Sequence, residues 1–523
     1  MRRRCRLLVV AAMLGAPLAS HVSPSELQVR IETGTVEGKE HGVRTFLGIP
    51  YAAPPVGDLR WKPPAHAASW TGVRKSTEFG ARCMQGPIYS DMVFRDAGGS
   101  EDCLTLNVWT PAKDAQAKLP VMVWIHGGGF MAGGSSEPRQ DGEVLAKRGV
   151  VVVSMNYRLG IFGFLVLPEL AAGSDRKAAG NYGFLDQVAA LEWVRRNIAS
   201  FGGDPANVTV FGESAGSFSV SALMASPLAK GLFHRAIGES GAAFFSSGLP
   251  LAPLAVRAQE DSQFASASLR VPTLKEMRAI PAQRILDASL KERNGGRPRF
   301  APDVDGYFLP AMVPTIFAEG KQSDVPLLAG WNHDEGSGEI AHAPQLSAMD
   351  RIKIEAAKAF GTKAEEFLRL YPADSDAMAE RSLEDFAGDR FIAWSTWKWL
   401  EAQTATGKQP IYRYRFDLAP PADPKDTPGL GAFHSAEIEY VFGMLESRAS
   451  IPWRLADRNL SELMQEYWVN FARNGDPNGP GLPEWPVYRS ASGSQVMYLS
   501  ARPKAGKDDQ RDRYLFLSAF WEK

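Results

Sequence analysis

Ser214 lies in Gly212-Glu213-Ser214-Ala215-Gly216, directly after the apolar run 208–211 and just before a helix-compatible segment, 218–225. A serine hydroxyl is a weak nucleophile near neutral pH. Chemistry at Ser214 therefore needs a base within hydrogen-bond reach and an acid that orients that base. This strand–turn–helix context is that of a nucleophile elbow. A turn this tight approaches positive φ, its flanking glycines leave room, and the hydroxyl is held above the sheet. The N-terminus of the next helix adds positive partial charge where an oxyanion would develop.

A second glycine-rich stretch, His126-Gly127-Gly128-Gly129, follows the apolar run 121–125 and precedes the elbow. Consecutive glycines let the backbone approach a substrate and present N–H groups, as in an HGGG-type oxyanion hole. Gly127, Gly129 and Ala132 also mimic a dinucleotide fingerprint, but three adjacent glycines combined with an elbow suit acyl transfer better. The order Ser, Asp/Glu, His along this kind of chain puts the base last. His333, His342 and His434 lie well downstream. His434-x-x-Glu437-x-Glu439 has the spacing of a metal site, yet no second histidine accompanies it. No metal or cofactor is implied.

Positioning these residues takes a sheet. The runs 121–125, 149–154 and 325–330 are almost continuously apolar, as strands covered on both faces must be. Leu185, Val188, Leu191, Val194 and Ile198 recur at helical spacing before the elbow strand. Strand and helix alternate through the middle of the chain, which predicts a large, doubly wound, mostly parallel α/β sheet with helices on both faces. Residues 254–292 read as a helical insertion broken at Pro272 and Pro281, and helices are expected over 350–405. The tail reads as a helix over 460–472 and short strands near Val496 and Tyr514, and 420–429 is a proline-rich loop.

The chain has 523 residues, 45% hydrophobic, enough apolar material for a large core. A formal charge of -1 with no basic stripe argues against a nucleic-acid partner. Arg2, Arg3, Arg4 and Arg6 precede an apolar run over 7–18 and then Ala19-Ser20. This reads as a signal peptide over 1–20, leaving 21–523 as one domain in a secreted or periplasmic protein. The run is too short to span a bilayer, so no stable membrane anchor is expected. Cys83 and Cys103 remain after its removal, consistent with one disulfide or with two buried thiols. Nothing in the sequence specifies an oligomeric state.

Many further segments fall into one pattern. They are 46–51, Glu101-Asp102-Cys103-Leu104-Thr105-Leu106-Asn107, 126–130, Ser154-Met155-Asn156-Tyr157-Arg158, 180–187, the elbow, Asp334-Glu335-Gly336 and 434–442. In these the chain resembles the type-B carboxylesterase and cholinesterase family, close to its bacterial para-nitrobenzyl-esterase-like members. The resemblance implies an α/β-hydrolase fold and hydrolysis of a small-molecule carboxylic ester. It implies Ser214 as nucleophile, Glu335 as triad acid and His434 as base, with Gly128, Gly129 and Ala215 as oxyanion donors. It also implies a Cys83–Cys103 disulfide and buried pairs Arg60–Glu101 and Arg158–Asp186. Glu213 would tune the site, and Ser240 would be a buried helper. Amide, thioester or lipid hydrolysis through the same triad is the alternative, as is a non-catalytic binding role. Cholinesterases carry a tryptophan in the first disulfide loop. None stands between Cys83 and Cys103, which argues against choline esters.

Overall fold

The apolar run 121–125 sits inside the strand Leu119–Ile125, and its side chains divide between two cores. Val121, Val123 and Ile125 face one core, and Met122 and Trp124 the other. Val151–Met155 divides the same way, with Val151, Val153 and Met155 opposite Val152. Each fully buried Val or Ile contributes about 1.5–3 kcal/mol over leaving it exposed, so both faces of these strands must be covered.

The computed structural model describes residues 27–244, 251–270, 273–293, 300–337, 346–423, 429–490 and 493–521. The expected leader, Pro272, His342 and residues 424–428 of the proline-rich loop lie outside the described residues.

The main sheet has eleven strands among the described residues. In chain order they are β1 (Lys39–His41), β2 (Val43–Pro50), β3 (Thr105–Thr110), β4 (Leu119–Ile125), β5 (Val151–Met155) and β6 (Gly203–Glu213). There follow β7 (Arg235–Glu239), β8 (Leu327–Asn332), β9 (Ile411–Phe416), β10 (Gln495–Leu499) and β11 (Lys504–Lys507). Their spatial order is β11-β10-β9-β8-β7-β6-β4-β5-β3-β2-β1. From β5 across to β10 every neighbouring pair is parallel, and antiparallel strands close both edges. This is the large, mostly parallel α/β-hydrolase sheet.

Helices cover both faces. On one, α1 (Tyr182–Asn197) and α2 (Ala215–Ala225) supply Phe184, Leu191, Val194, Phe218 and Val220 to the first core. On the other, α3 (Leu455–Asn474) supplies Leu460, Met464, Trp468 and Phe471 to the second. The helical insertion forms Leu254–Phe264, Leu274–Ala279 and Ala282–Arg293, with its own core of Phe264, Leu269, Met277 and Ile285 against Trp61 and Phe162.

One expectation fails. Tyr514 is not in a strand but in a helix, α4 (Arg511–Trp521). Tyr514 and Leu517, three residues apart, are the positions that this helix buries completely, and Tyr514 packs edge-on against Trp331 at 5.6 Å. The second strand of the tail is instead β11, a short edge strand beside β10 with no apolar alternation to announce it.

The covalent and ionic braces are where they were expected. Cys83 and Cys103 form a disulfide. Arg60 grips Glu101 with two hydrogen bonds of 2.6 Å, and Arg158 donates to both oxygens of Asp186 at 2.7 and 2.8 Å.

Candidate active site

Parallel strands leave their side chains and turns at one shared edge, and ligands bind in open α/β sheets outside the carboxyl ends of the strands. Here β4 ends at Ile125 before the glycine run, β6 ends at Glu213 before Ser214, β7 ends at Glu239 before Ser240, and β8 ends at Asn332 before Glu335. The chain after β9 then brings His434 to the same edge.

Ser214 has φ 54° and ψ -120°, a left-handed, strained conformation for a side chain. It is held from both sides: Ser214 N–H donates to Glu239 C=O at 2.8 Å, and Phe218 N–H donates to Ser214 C=O at 2.8 Å. The turn is so close to β4 that a β-carbon on Gly216 would stand 1.9 Å from the Ile125 carbonyl oxygen. Only glycine fits there, which explains the second glycine of the motif.

His434 Nε2 lies 3.0 Å from Ser214 Oγ, and His434 Nδ1 lies 2.6 Å from Glu335 Oε2. Glu335 Oε1 accepts the Asn332 backbone N–H at 2.8 Å. The imidazole keeps 26% of its side-chain surface exposed and Glu335 only 1%, so the ring faces the open side and the acid stands behind it. The three residues that the sequence reading singled out, far apart along the chain, form one continuous hydrogen-bonded line.

A sequence model of the carboxylesterase family matches residues 25–517. The chain belongs to that family. It is 37% identical to the fumonisin B1 esterase of Sphingopyxis macrogoltabida, over 92% of this chain and 90% of that one. It is 36% identical to the cocaine esterase of Homo sapiens (93% and 88% covered) and 36% identical to the para-nitrobenzyl esterase of Bacillus subtilis (strain 168) (88% and 92% covered). Among solved structures it resembles a thermophilic PNB esterase with a TM-score of 0.80 and 34% identity, covering 94% of this chain and all of the other. The protein is a carboxylic ester hydrolase.

The glycine run of this esterase is ordered through its carbonyls. A peptide is planar, so fixing the C=O of one residue fixes the N–H of the next. Gly127 C=O accepts from the His126 ring at 2.9 Å, which sets the direction of Gly128 N–H. Gly128 C=O accepts from Met131 N–H at 3.0 Å and Ala132 N–H at 3.1 Å, which sets the direction of Gly129 N–H. Among the described residues, the N–H groups of Gly128, Gly129 and Ala215 have no acceptor within the protein. His126 is neutral: burial lowers its pKa to about 4, against the smaller upward pull of its bond to the Gly127 carbonyl. With Gly127 C=O as acceptor, the proton sits on Nδ1.

Glu213 Oε1 is 3.2 Å from His434 Nε2. Burial raises the carboxyl of Glu213, and the nearby imidazole pulls it back only in part. Burial alone would lower His434, but the charges of Glu213 and Glu335 outweigh it and raise its pKa. The two shifts are linked, because a protonated Glu213 no longer holds the imidazole charged.

Ser240, also at positive φ, is fully buried, and its hydroxyl donates to Glu437 Oε1 at 3.3 Å rather than facing His434. Glu437 and Glu439, which share metal-like spacing with His434, turn to other partners. Glu437 accepts from Asn332 Nδ2 at 2.5 Å, and Glu439 pairs with Arg448 at 3.8 Å. The spacing carried no sign of Asn332 and Asp334, which join the acid turn to the histidine loop. Asn332 Nδ2 also donates to Phe433 C=O at 2.7 Å, and Asp334 Oδ2 accepts Ala432 N–H at 2.6 Å. These contacts cross about a hundred residues of sequence and leave no local pattern.

Proposed function

We propose that this esterase works through an acyl-enzyme intermediate on Ser214, with His434 as general base and acid and Glu335 as the group that orients it. The observation that carries the proposal is the unbroken line from Ser214 Oγ through the imidazole to Glu335, at 3.0 and 2.6 Å. His434 takes the hydroxyl proton as Ser214 attacks the ester carbonyl. Glu335 fixes the tautomer by accepting from Nδ1 and stabilises the imidazolium that forms. The tetrahedral oxyanion is received by the N–H groups of Gly128, Gly129 and Ala215, which among the described residues have no competing acceptor to release. His434 then protonates the leaving alcohol and activates the water that frees the acid.

Glu213 completes the proton inventory. Its carboxyl, raised by burial beside Nε2, competes with the imidazole for one proton: while Glu213 holds it the ring is neutral and able to act as a base, and while the ring holds it the base is blocked. The substrate is a small-molecule ester, and the arginine-led apolar leader fits export of the enzyme. Relatives named for fumonisin B1, cocaine and para-nitrobenzyl esters share the fold while differing in substrate, so a panel of acyl lengths and leaving groups defines the preference.

The decisive experiment is Ser214→Ala. Turnover of para-nitrophenyl esters should fall on the order of 10⁶-fold, and stoichiometric labelling by an organophosphorus reagent should vanish with it. A variant that retains turnover ends the proposal.

A further inference from the structure

We propose that Gln85, in the loop closed by the disulfide, is a positioning residue for the oxyanion cradle. The inference rests on the reading of Gly128 and Gly129 as oxyanion donors. Residues 127–136 form neither helix nor strand, so their peptide planes depend on individual hydrogen bonds. Gly129 N–H takes its direction from Gly128 C=O, and that carbonyl is held in part by Ala132 N–H. Ala132 C=O shares a peptide plane with Gly133 N–H and lies so close to Gly128 that a β-carbon there would stand 2.1 Å from its oxygen, and Gly133 is gripped by Gln85 at both polar atoms. Gly133 N–H donates to Gln85 Oε1 at 2.9 Å, and Gln85 Nε2 donates to Gly133 C=O at 2.7 Å.

A side-chain amide bonded this way imitates a strand partner and fixes the Gly133 backbone on both sides of its α-carbon. Gln85 is itself held. Its Nε2 also donates to Cys83 C=O at 3.0 Å, and Cys83 is tied to Cys103 by the disulfide and paired with Ser100 in a two-residue ladder. The disulfide loop thus reaches the glycine turn through one amide, and the path runs Cys83, Gln85, Gly133, Ala132, Gly128 C=O, Gly129 N–H. Gln85 touches neither Ser214 nor His434 through any of these bonds, so its effect should fall on oxyanion stabilisation and leave the proton relay alone.

The test replaces Gln85 by Met, which has similar length and no amide, and by Glu, which keeps the acceptor for Gly133 N–H. With para-nitrophenyl acetate, Gln85→Met should lower kcat about tenfold through a displaced donor, with KM unchanged. Affinity for an aryl trifluoromethyl ketone, whose adduct with serine places an oxyanion in the cradle, should fall by the same factor. The acid limb of the pH–rate profile should stay where it is. Gln85→Glu should recover part of both losses, and it serves as the informative variant if Gln85→Met does not fold. Wild-type kcat in Gln85→Met overturns the inference, as does a kcat loss without a matching loss of ketone affinity, even if the variant is less heat-stable. Turnover in Ser214→Ala would instead sink the underlying active-site reading, so the two failures are distinct.

Discussion

Glu213 Oε1 stands 3.2 Å from His434 Nε2, the same ring nitrogen that lies 3.0 Å from Ser214 Oγ. One nitrogen therefore faces both a hydroxyl that must lose a proton and a buried carboxyl that can hold one. An ionised Glu213 favours the imidazolium, which cannot accept the serine proton. Activity should accordingly fall as pH drops through the raised pKa of His434. Glu213→Gln removes the charge and keeps the shape, so the pKa of His434 should drop. The acid limb of kcat/KM should then move to lower pH by about one unit. A limb that stays in place would show that Glu213 does not control the charge of the imidazole.

Glu335 is nearly inaccessible and accepts from His434 Nδ1 at 2.6 Å and from Asn332 N–H at 2.8 Å. Glu335→Gln preserves the volume but offers an amide where an ionised acceptor is needed. The imidazole should then lose its fixed tautomer, and kcat should fall on the order of 10⁴-fold, less than for loss of the nucleophile. The melting curve should stay close to that of the wild type. A collapse of folding with this variant would assign Glu335 a structural role instead.

Asn332 bridges the acid turn and the histidine loop through a single amide nitrogen, at 2.7 Å to Phe433 C=O and 2.5 Å to Glu437 Oε2. Burial raises Glu437 to a pKa of about 7, against the opposing pull of the Asn332 amide among others, so loss of that donor leaves a buried carboxyl poorly satisfied. Asn332→Ala should cost about 1–3 kcal/mol of stability. It should also lower kcat about tenfold as the loop carrying His434 loosens. Thermal inactivation half-life and steady-state kinetics read the two effects separately. Unchanged kcat beside a shortened half-life would reduce Asn332 to a packing residue.

The sheet and the elbow are legible in sequence because their signals are local. Runs such as 121–125 and 149–154 read as strands apolar on both faces, and β4 and β5 divide their residues between two cores. Gly-x-Ser-x-Gly announces a turn whose tightness is dictated within five residues. The meeting of Glu335 with His434 has no such local trace. It was reached by residue order and by resemblance, and the bonds that bring the two turns together run through Asn332 and Asp334, ordinary residues in sequence. Tyr514 misled for a related reason: an aromatic residue near a chain end fits strand and helix equally well, and burial at a spacing of three decides for the helix. β11 is held by pairing with β10 rather than by any apolar face of its own, so no periodicity marks it.

The disulfide loop offers a final discrimination between stability and catalysis. Cys83 and Cys103 are separated by 20 residues, a loop whose closure contributes about 3 kcal/mol in the chain-entropy model. Inside the loop, Asp96 accepts from Ser136 Oγ at 2.5 Å, and Arg95 donates to Ser136 C=O at 3.0 Å, just beyond the glycine run. Replacing both cysteines by serine should therefore do two things. The denaturant midpoint should fall by an amount matching that ~3 kcal/mol, and kcat should fall below wild type even at temperatures where the variant is fully folded, because the segment behind the cradle loses its brace. Far-UV circular dichroism and kcat measured on the same sample at low temperature separate the two effects. A folded variant with wild-type kcat would confine the disulfide to stability.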